Sequence, residues 1–358
     1  MFLHKIEKPV RINTINILED NGQLYIRSIS EDGIEGFFKA NGRLQHHLTI
    51  MEDLVLPFFI NKDARDLKEL IKDIYTEGRN YKYASLPFWN CVGHIEVTLF
   101  DILGKTVNIP VGKLLGNVIR SQIPVYLTRF NRDRSPEEEI KRLKDIIPQY
   151  GFEAVKLKIG GRMSYDKDVY PGYSEELLKL AREKLGDEII IYVDANGSYS
   201  PKKAVEVGKM LQKYNVSFFE EPCPWQNFAG IKYVNDNLEI PVAGGEQDSN
   251  LYKFEWMIEN QAVDIIQPDI IYNGGIIRCL QVAKMAEKKG INVIPHAPRK
   301  GIEAAPLYHF LSVINNAGPY HESRITDDIN NTMVNIPKGP GLGYTIDENI
   351  IKNAKVII

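Results

Sequence analysis

Residues 189–197 read Ile189-Ile-Ile-Tyr-Val-Asp194-Ala-Asn-Gly197, residues 216–222 read Val216-Ser-Phe-Phe-Glu220-Glu-Pro222, and residues 241–246 read Pro241-Val-Ala-Gly-Gly-Glu246. Each is a short apolar run that gives way to an acid, and 26 residues separate each acid from the next. That interval suits one strand plus one crossover helix. The series keeps step afterwards: Asp269 lies 23 residues on, His296 another 27, and Glu322 another 26. One carboxylate at a strand end is unremarkable, but a series in register is the pattern of a barrel whose strand ends share one mouth.

Working outward, apolar runs at Ile123–Leu127, Ala154–Ile159, Ile189–Val193, Val216–Phe219, Ile240–Ala243, Val263–Ile266 and Asn292–Ile294 alternate with helical patterns at Pro136–Ile147, Ser174–Leu185, Pro201–Tyr214 and Gly275–Lys288. Strict alternation implies parallel strands joined by crossover helices. Seven or eight units favour a closed barrel. An open sheet would place a Gly-rich phosphate turn after its first strand, and the segment from Thr128 to Arg134 has none.

Before the barrel the texture differs. Arg11–Leu18, Leu24–Ile29 and Gly36–Phe38 are separated by the hairpin dipeptides Asn21-Gly22 and Asp32-Gly33. Helical spacing follows over Asp63–Glu77 and Leu86–Leu103. The expected division is an α+β domain over residues 1–120, an α/β barrel over 121–330, and a tail over 331–358 that returns to the first domain.

The chain has 358 residues, 44% of them apolar and 25% charged, with a formal net charge of −3. Nothing there suits a nucleic-acid backbone as partner. Cys91, Cys223 and Cys279 show no paired spacing, which argues for reduced thiols rather than disulfides or zinc. The first residues, Met1 to Glu7, lack the apolar core of a signal peptide, and no apolar run is long enough for a membrane helix. A cytoplasmic protein is expected.

Asp194, Glu220 and Glu246 on adjacent strands would form a hard, oxygen-only site suited to Mg²⁺. Glu221 is the other candidate in its pair, although Glu220 stands first after the apolar run. Lys156 and Lys158, two residues apart, share one face of their strand. On an isolated half-buried strand such a pair reads as a solvent face, but a strand of a parallel barrel has none. Side by side, the two ammonium groups should lower the pKa of one and make it a base. Asp269 could orient His296 on the far side. Glu322 is the faintest member of the series, being next to His321 on a poorly marked eighth strand. His46 and His47 read as loop residues. Arg129, Arg162 and Arg299, near strand ends, are candidate contacts for substrate hydroxyls or a second carboxylate.

At these residues the chain resembles the enolase superfamily, in particular its mandelate racemase subgroup, over nearly its whole length. The resemblance is carried by Ile95-Glu-Val-Thr-Leu-Phe-Asp-Ile-Leu-Gly-Lys105, Pro110-Val-Gly-Lys-Leu-Leu-Gly116, Val155-Lys-Leu-Lys-Ile-Gly160, Val193-Asp-Ala-Asn196, Phe219-Glu-Glu-Pro222, Gly244-Gly-Glu246, Gln267-Pro-Asp269 and Pro295-His296, in the family's order. It implies a modified (β/α)₇β TIM barrel under an N-terminal α+β capping domain. It assigns Asp194, Glu220 and Glu246 to magnesium, Lys158 and the Asp269–His296 dyad to acid/base work, and Lys156 and Glu322 to the substrate carboxylate, with Asn196 as a further substrate contact. Two specificity elements depart from the family's better-known members: a very short hairpin at Asn21-Gly22 and a long segment over Gly160–Tyr173 containing Arg162.

The chemistry so implied is abstraction of a proton α to a carboxylate, with protonated Glu322 and Lys156 stabilising the developing charge. Whether Lys158 or His296 takes the first proton stays open. Dehydration of an acid sugar (aldonate, aldarate or uronate) to a 2-keto-3-deoxy acid is the leading expectation, and racemisation or epimerisation of a hydroxy or amino acid derivative is the alternative. A non-catalytic carboxylate-binding barrel is the third reading, although binding alone needs no opposed proton carriers. The expected partner is a small-molecule carboxylate, with neither nucleic acid nor membrane, in a homo-oligomer.

Overall fold

The computed structural model describes residues 1–128, 132–324, 329–330 and 332–358, so Arg129 lies outside the described residues. An antiparallel meander comes first: β1 (Ile12–Asp20), β2 (Gln23–Ser30) and β3 (Glu35–Lys39). Asn21 and Gly22 both have positive φ, 49° and 81°, which is what a two-residue turn between twisted strands requires. The expected second helix is a buried 21-residue helix over Leu86–Thr106. The expected first helix is shorter than its spacing implied, with regular α structure over Leu67–Asp73 only.

Eight parallel strands follow: β4 (Gln122–Thr128), β5 (Ala154–Lys158), β6 (Ile190–Asp194), β7 (Val216–Glu220), β8 (Val242–Gly244), β9 (Ile265–Ile266), β10 (Asn292–Val293) and β11 (His321–Ser323). Each pairs with the next from β4 to β10, and β11 pairs back onto β4 in parallel, while a bridge from Val293 to Ala317 approaches the remaining seam. This is the modified TIM barrel with an N-terminal α+β domain that the sequence implied. After the barrel, Met333–Asn335 add to β4 in antiparallel fashion, and Lys355–Val356 pair with Leu18 and Glu19 of β1.

Alternation along the strands separates floor from wall. Ala154, Tyr192, Phe218 and Tyr126 pack together inside the barrel, with Tyr192 stacked on Phe218 at 4.0 Å between ring centroids. Val155, Leu157, Ile191, Val193 and Phe219 belong to the outer core. Further along the same inward parity come Lys158, Asp194 and Glu220, which stand side by side in the strand register.

Buried polar groups tie the two units. Asp101 accepts from Phe37 N (3.0 Å), Leu342 N (2.8 Å) and Lys105 Nζ (2.7 Å), so one carboxylate joins β3, the long helix and the C-terminal segment. His309 accepts from Gly112 N at Nδ1 (3.2 Å) and faces the Leu342 carbonyl with Nε2 (3.2 Å). That arrangement fits only the neutral ring, and burial pulls its pKa down from 6.5 to about 4. The neutral ring's contribution is therefore complete above pH 6.5 and is lost as pH falls towards 4, a change on the order of 3 kcal/mol. Denaturant titrations at pH 7 and pH 4.5 should show a smaller pH-dependent loss in His309→Asn than in the wild type. Equal losses would contradict the assignment.

Candidate active site

The triad forms as the spacing implied. Asp194, Glu220 and Glu246 each offer an oxygen, all within 4.8 Å of one another, and all three side chains are buried. Asp194 and Glu220 end their strands, whereas Glu246 stands two residues beyond β8. Asp194 is aimed by its own loop: Asn196 N donates to Oδ1 (2.7 Å) and Asn196 Nδ2 to Oδ2 (3.0 Å). Gln267 Nε2 donates to Glu220 Oε2 (3.0 Å).

Both lysines face this cluster, each against one of its carboxylates. Lys156 Nζ donates to both oxygens of Glu220, each at 2.8 Å, and lies 3.2 Å from Glu322 Oε1. Burial alone would lower its pKa, but the carboxylates of Glu220 and Glu322 outweigh burial and raise it well above the ordinary lysine value. The expectation that crowding would lower a lysine therefore fails for Lys156, whose ammonium sits against the carboxylates of Glu220 and Glu322. Lys158 Nζ bonds Asp194 Oδ2 and stands on the cavity wall.

Opposite, His296 Nδ1 meets Asp269 Oδ2 at 2.8 Å, and Nε2 points towards Glu246 Oε2 at 3.8 Å. Burial disfavours charging the ring, but Glu246, Asp269 and Glu322 outweigh it, so its pKa is raised. Arg299 requires a correction. Expected among the substrate contacts, it is buried with Nη2 on both oxygens of Asp269, at 3.0 and 2.7 Å, and does not line the cavity. Its charge is spent holding Asp269 ionised, and Ile271 N and Tyr272 N also donate to that carboxylate.

Glu322 does join the site. Burial alone would raise its pKa, but Lys156 and His296 pull it down to about 2. That pull runs against the protonated Glu322 expected from the sequence, and its Oε2 accepts from Ala297 N at 3.0 Å.

A cavity of about 520 Å³ opens over these groups. Lys158, Asn196, Glu246, His296 and Glu322 line it from the barrel, Arg162 and Met163 from the long loop after β5, and Arg43 from the N-terminal domain. Lys156 lies beneath the wall. Arg162 Nη2 reaches Asn196 Oδ1 at 3.3 Å. Three residues were missed as contributors. Arg132 donates to the Ile159 carbonyl (2.8 Å) and to Asn196 Oδ1 (3.1 Å), clamping the ends of β5 and β6. Gln267 stands two residues before Asp269, where the strand-end rule could have found it. Arg43 gave no signal, because only the fold brings its loop to the barrel.

The donor set suits a hard divalent cation. Burial, with Asp194 and Glu246 adding to it, pushes Glu220 up to about 8 even against Lys156. Three buried carboxylates with oxygens within 4.8 Å of one another form a crowd of negative charge that a cation would relieve.

Fold and site together define a barrel enzyme of the enolase type, and comparison with known proteins agrees. The family description "Mandelate racemase / muconate lactonizing enzyme, N-terminal domain" matches residues 5–116, and "Enolase C-terminal domain-like" matches residues 138–350. The chain belongs to the mandelate racemase/muconate lactonizing enzyme family of the enolase superfamily. It is 29% identical over 318 residues to the arabinonate dehydratase of Saccharolobus solfataricus, covering 85% of this chain and 82% of that one. It is 24% identical to the D-galactarolactone cycloisomerase of Agrobacterium fabrum, covering 97% and 95%. The crystal structure of a mandelate racemase/muconate lactonizing protein from Paracoccus denitrificans PD1222, complexed with magnesium, superposes with a TM-score of 0.88 at 25% identity, covering 97% and 99%. Among the described residues no helix is long and apolar enough to cross a membrane.

Proposed function

We propose that this protein is a magnesium-dependent hydro-lyase that removes the α-proton of a sugar acid and expels its β-hydroxyl, giving a 2-keto-3-deoxy acid. One observation carries the reading: Lys158 and His296 flank the carboxylate triad from strands on either side, Lys158 against Asp194 and His296 near Glu246. A dehydration needs a base for the α-proton and an acid for the departing hydroxyl, and these two groups supply such a pair.

Asp194, Glu220 and Glu246 would hold Mg²⁺, which when bound supplies Lewis acidity to the substrate carboxylate. Asp269, fixed by Arg299, holds His296 Nδ1, so that Nε2 faces the cavity as the proton-carrying atom. Lys158 presents Nζ at the opposite wall. Lys156 neutralises Glu220 and Glu322 from below and adds positive charge beneath the reacting carboxylate. Asn196 and Arg162 contact the substrate where they line the cavity. Among the relatives, the arabinonate dehydratase supports dehydration, since it matches 85% of the chain.

The test is a screen of aldonates, aldarates and uronates with magnesium, assayed for 2-keto-3-deoxy acid. Product from at least one class is expected. No product from any, together with α-proton exchange in a compact hydroxy or amino acid, would overturn dehydration in favour of racemisation.

A further inference from the structure

The triad, Lys158 and His296 account for the buried depth of the cavity. Its exposed rim has a different chemistry: Arg43 from the N-terminal domain, Arg162 from the loop after β5 and Arg324 beyond β11 all line it. None of the three lies in the sequence blocks that carry the family resemblance, so a role in choosing among substrates is open to them.

Exposed arginines are ordinarily solvated, but Arg43 and Arg162 are held over the cavity. Asn41 N donates to His94 Nε2 (3.2 Å) and Asn41 Nδ2 to Asn90 Oδ1 (2.8 Å), which ties the Arg43 loop to the long helix. Arg43 N in turn donates to Asn41 Oδ1 (3.1 Å), and the guanidinium carbon lies 5.0 Å from the ring centroid of Tyr272 on the cavity wall. Arg162 N donates to Ser198 Oγ (3.0 Å) and Met163 N to the Asn196 carbonyl (3.0 Å), which pins the long loop to the turn after β6.

These charges are not neutralised. Neither Arg43 nor Arg162 forms an ion pair among the described residues. Arg162 Nη2 shares Asn196 Oδ1 with Arg132 Nη1, at 3.3 and 3.1 Å, so two guanidiniums converge on one uncharged oxygen. Like charges so placed repel, and an anion beside them relieves the repulsion. The planar fork of a guanidinium matches a carboxylate or a phosphate through two parallel bonds. The reacting carboxylate of the substrate belongs with the triad, so the rim calls for a second anionic group. A hydroxyl brings no charge.

We infer that Arg43 and Arg162 form a distal anion subsite that holds a second acid group, carboxylate or phosphate, at the far end of the substrate. Resting on the proposed sugar-acid reading, it narrows the substrate to dianionic sugar acids: aldarates or terminally phosphorylated aldonates, over aldonates with a neutral end.

The experiment compares magnesium-loaded wild type, Arg43→Gln, Arg43→Lys and Arg162→Gln on sets that share one stereochemistry. Each set holds an aldonate, the matching aldarate and the terminally phosphorylated aldonate. The readouts are kcat/KM for 2-keto-3-deoxy acid and calorimetric binding. The wild type should favour one dianion over the neutral-ended aldonate by about 30-fold or more, and which dianion it favours assigns the end group. In Arg43→Gln and in Arg162→Gln that ratio should fall about tenfold or more, the order lost with a hydrogen bond to a charged group. Arg43→Lys keeps the charge without the fork and should fall between. Both side chains are exposed on loops, so the fold tolerates these changes. Near-equal kcat/KM for aldonate and dianions, or a dianion preference that all three variants keep, overturns the subsite and leaves dehydration standing. Dianion binding that depends on Arg43 without any 2-keto-3-deoxy acid upholds the subsite and removes the dehydratase reading.

Discussion

Lys158→Ala and His296→Asn are each expected to lower turnover by about 10²–10⁴-fold, and to block different half-reactions. The two side chains face the cavity from strands that flank the triad, and neither can stand in for the other without crossing it. Loss of the base should abolish deuterium exchange at the α-carbon. Loss of the acid should leave that exchange intact while expulsion of water fails. KM should change little in both variants, because the interactions removed form in the transition state. Proton NMR in heavy water, following exchange and product together, assigns base and acid between Lys158 and His296. Parallel losses of exchange and elimination in both variants would contradict the opposed arrangement.

Removal of divalent cations is expected to stop turnover, by roughly 10³-fold or more if the ion supplies several kcal/mol of charge stabilisation, while the protein stays folded. Folding survives because the carboxylates are already partly neutralised: Lys156 rests on Glu220 and Lys158 on Asp194. Restoring Mg²⁺ at a hundredfold excess over its Kd should stabilise the native state by about 2.7 kcal/mol, seen as a rise of a few degrees in melting temperature. In Glu246→Gln the same addition should produce a smaller rise, since one of three ligands is weakened. Full activity in excess chelator, or an unchanged melting temperature on adding Mg²⁺, would exclude the triad as a metal site.

Much of this architecture was legible because it rests on periodicity. The two-residue alternation in Ala-Val-Lys-Leu-Lys places both lysines on the inward face, and the structure sets Lys158, Asp194 and Glu220 in one register line. The 26-residue interval carried the same rule from strand to strand. What alternation cannot give is partner choice. Lys156 and Lys158 were expected to repel each other, but the decisive neighbours are carboxylates contributed by β6, β7 and β11, and local spacing does not rank those distances. Arg299 shows the same limit. Its strand-end position was visible, but its bond to Asp269 rather than to the cavity depends on how the loop after His296 folds. Glu221 was visible only as the second candidate of its pair, because a strand rule assumes an extended backbone, and at that residue φ is 43°.

The most direct test of the central claim is anomalous diffraction from crystals grown with Mn²⁺ in place of Mg²⁺. The expected result is one strong peak in the barrel mouth, liganded by Asp194, Glu220 and Glu246, with Lys158 and His296 on opposite sides of it. A peak elsewhere, or none at the triad, would contradict the account.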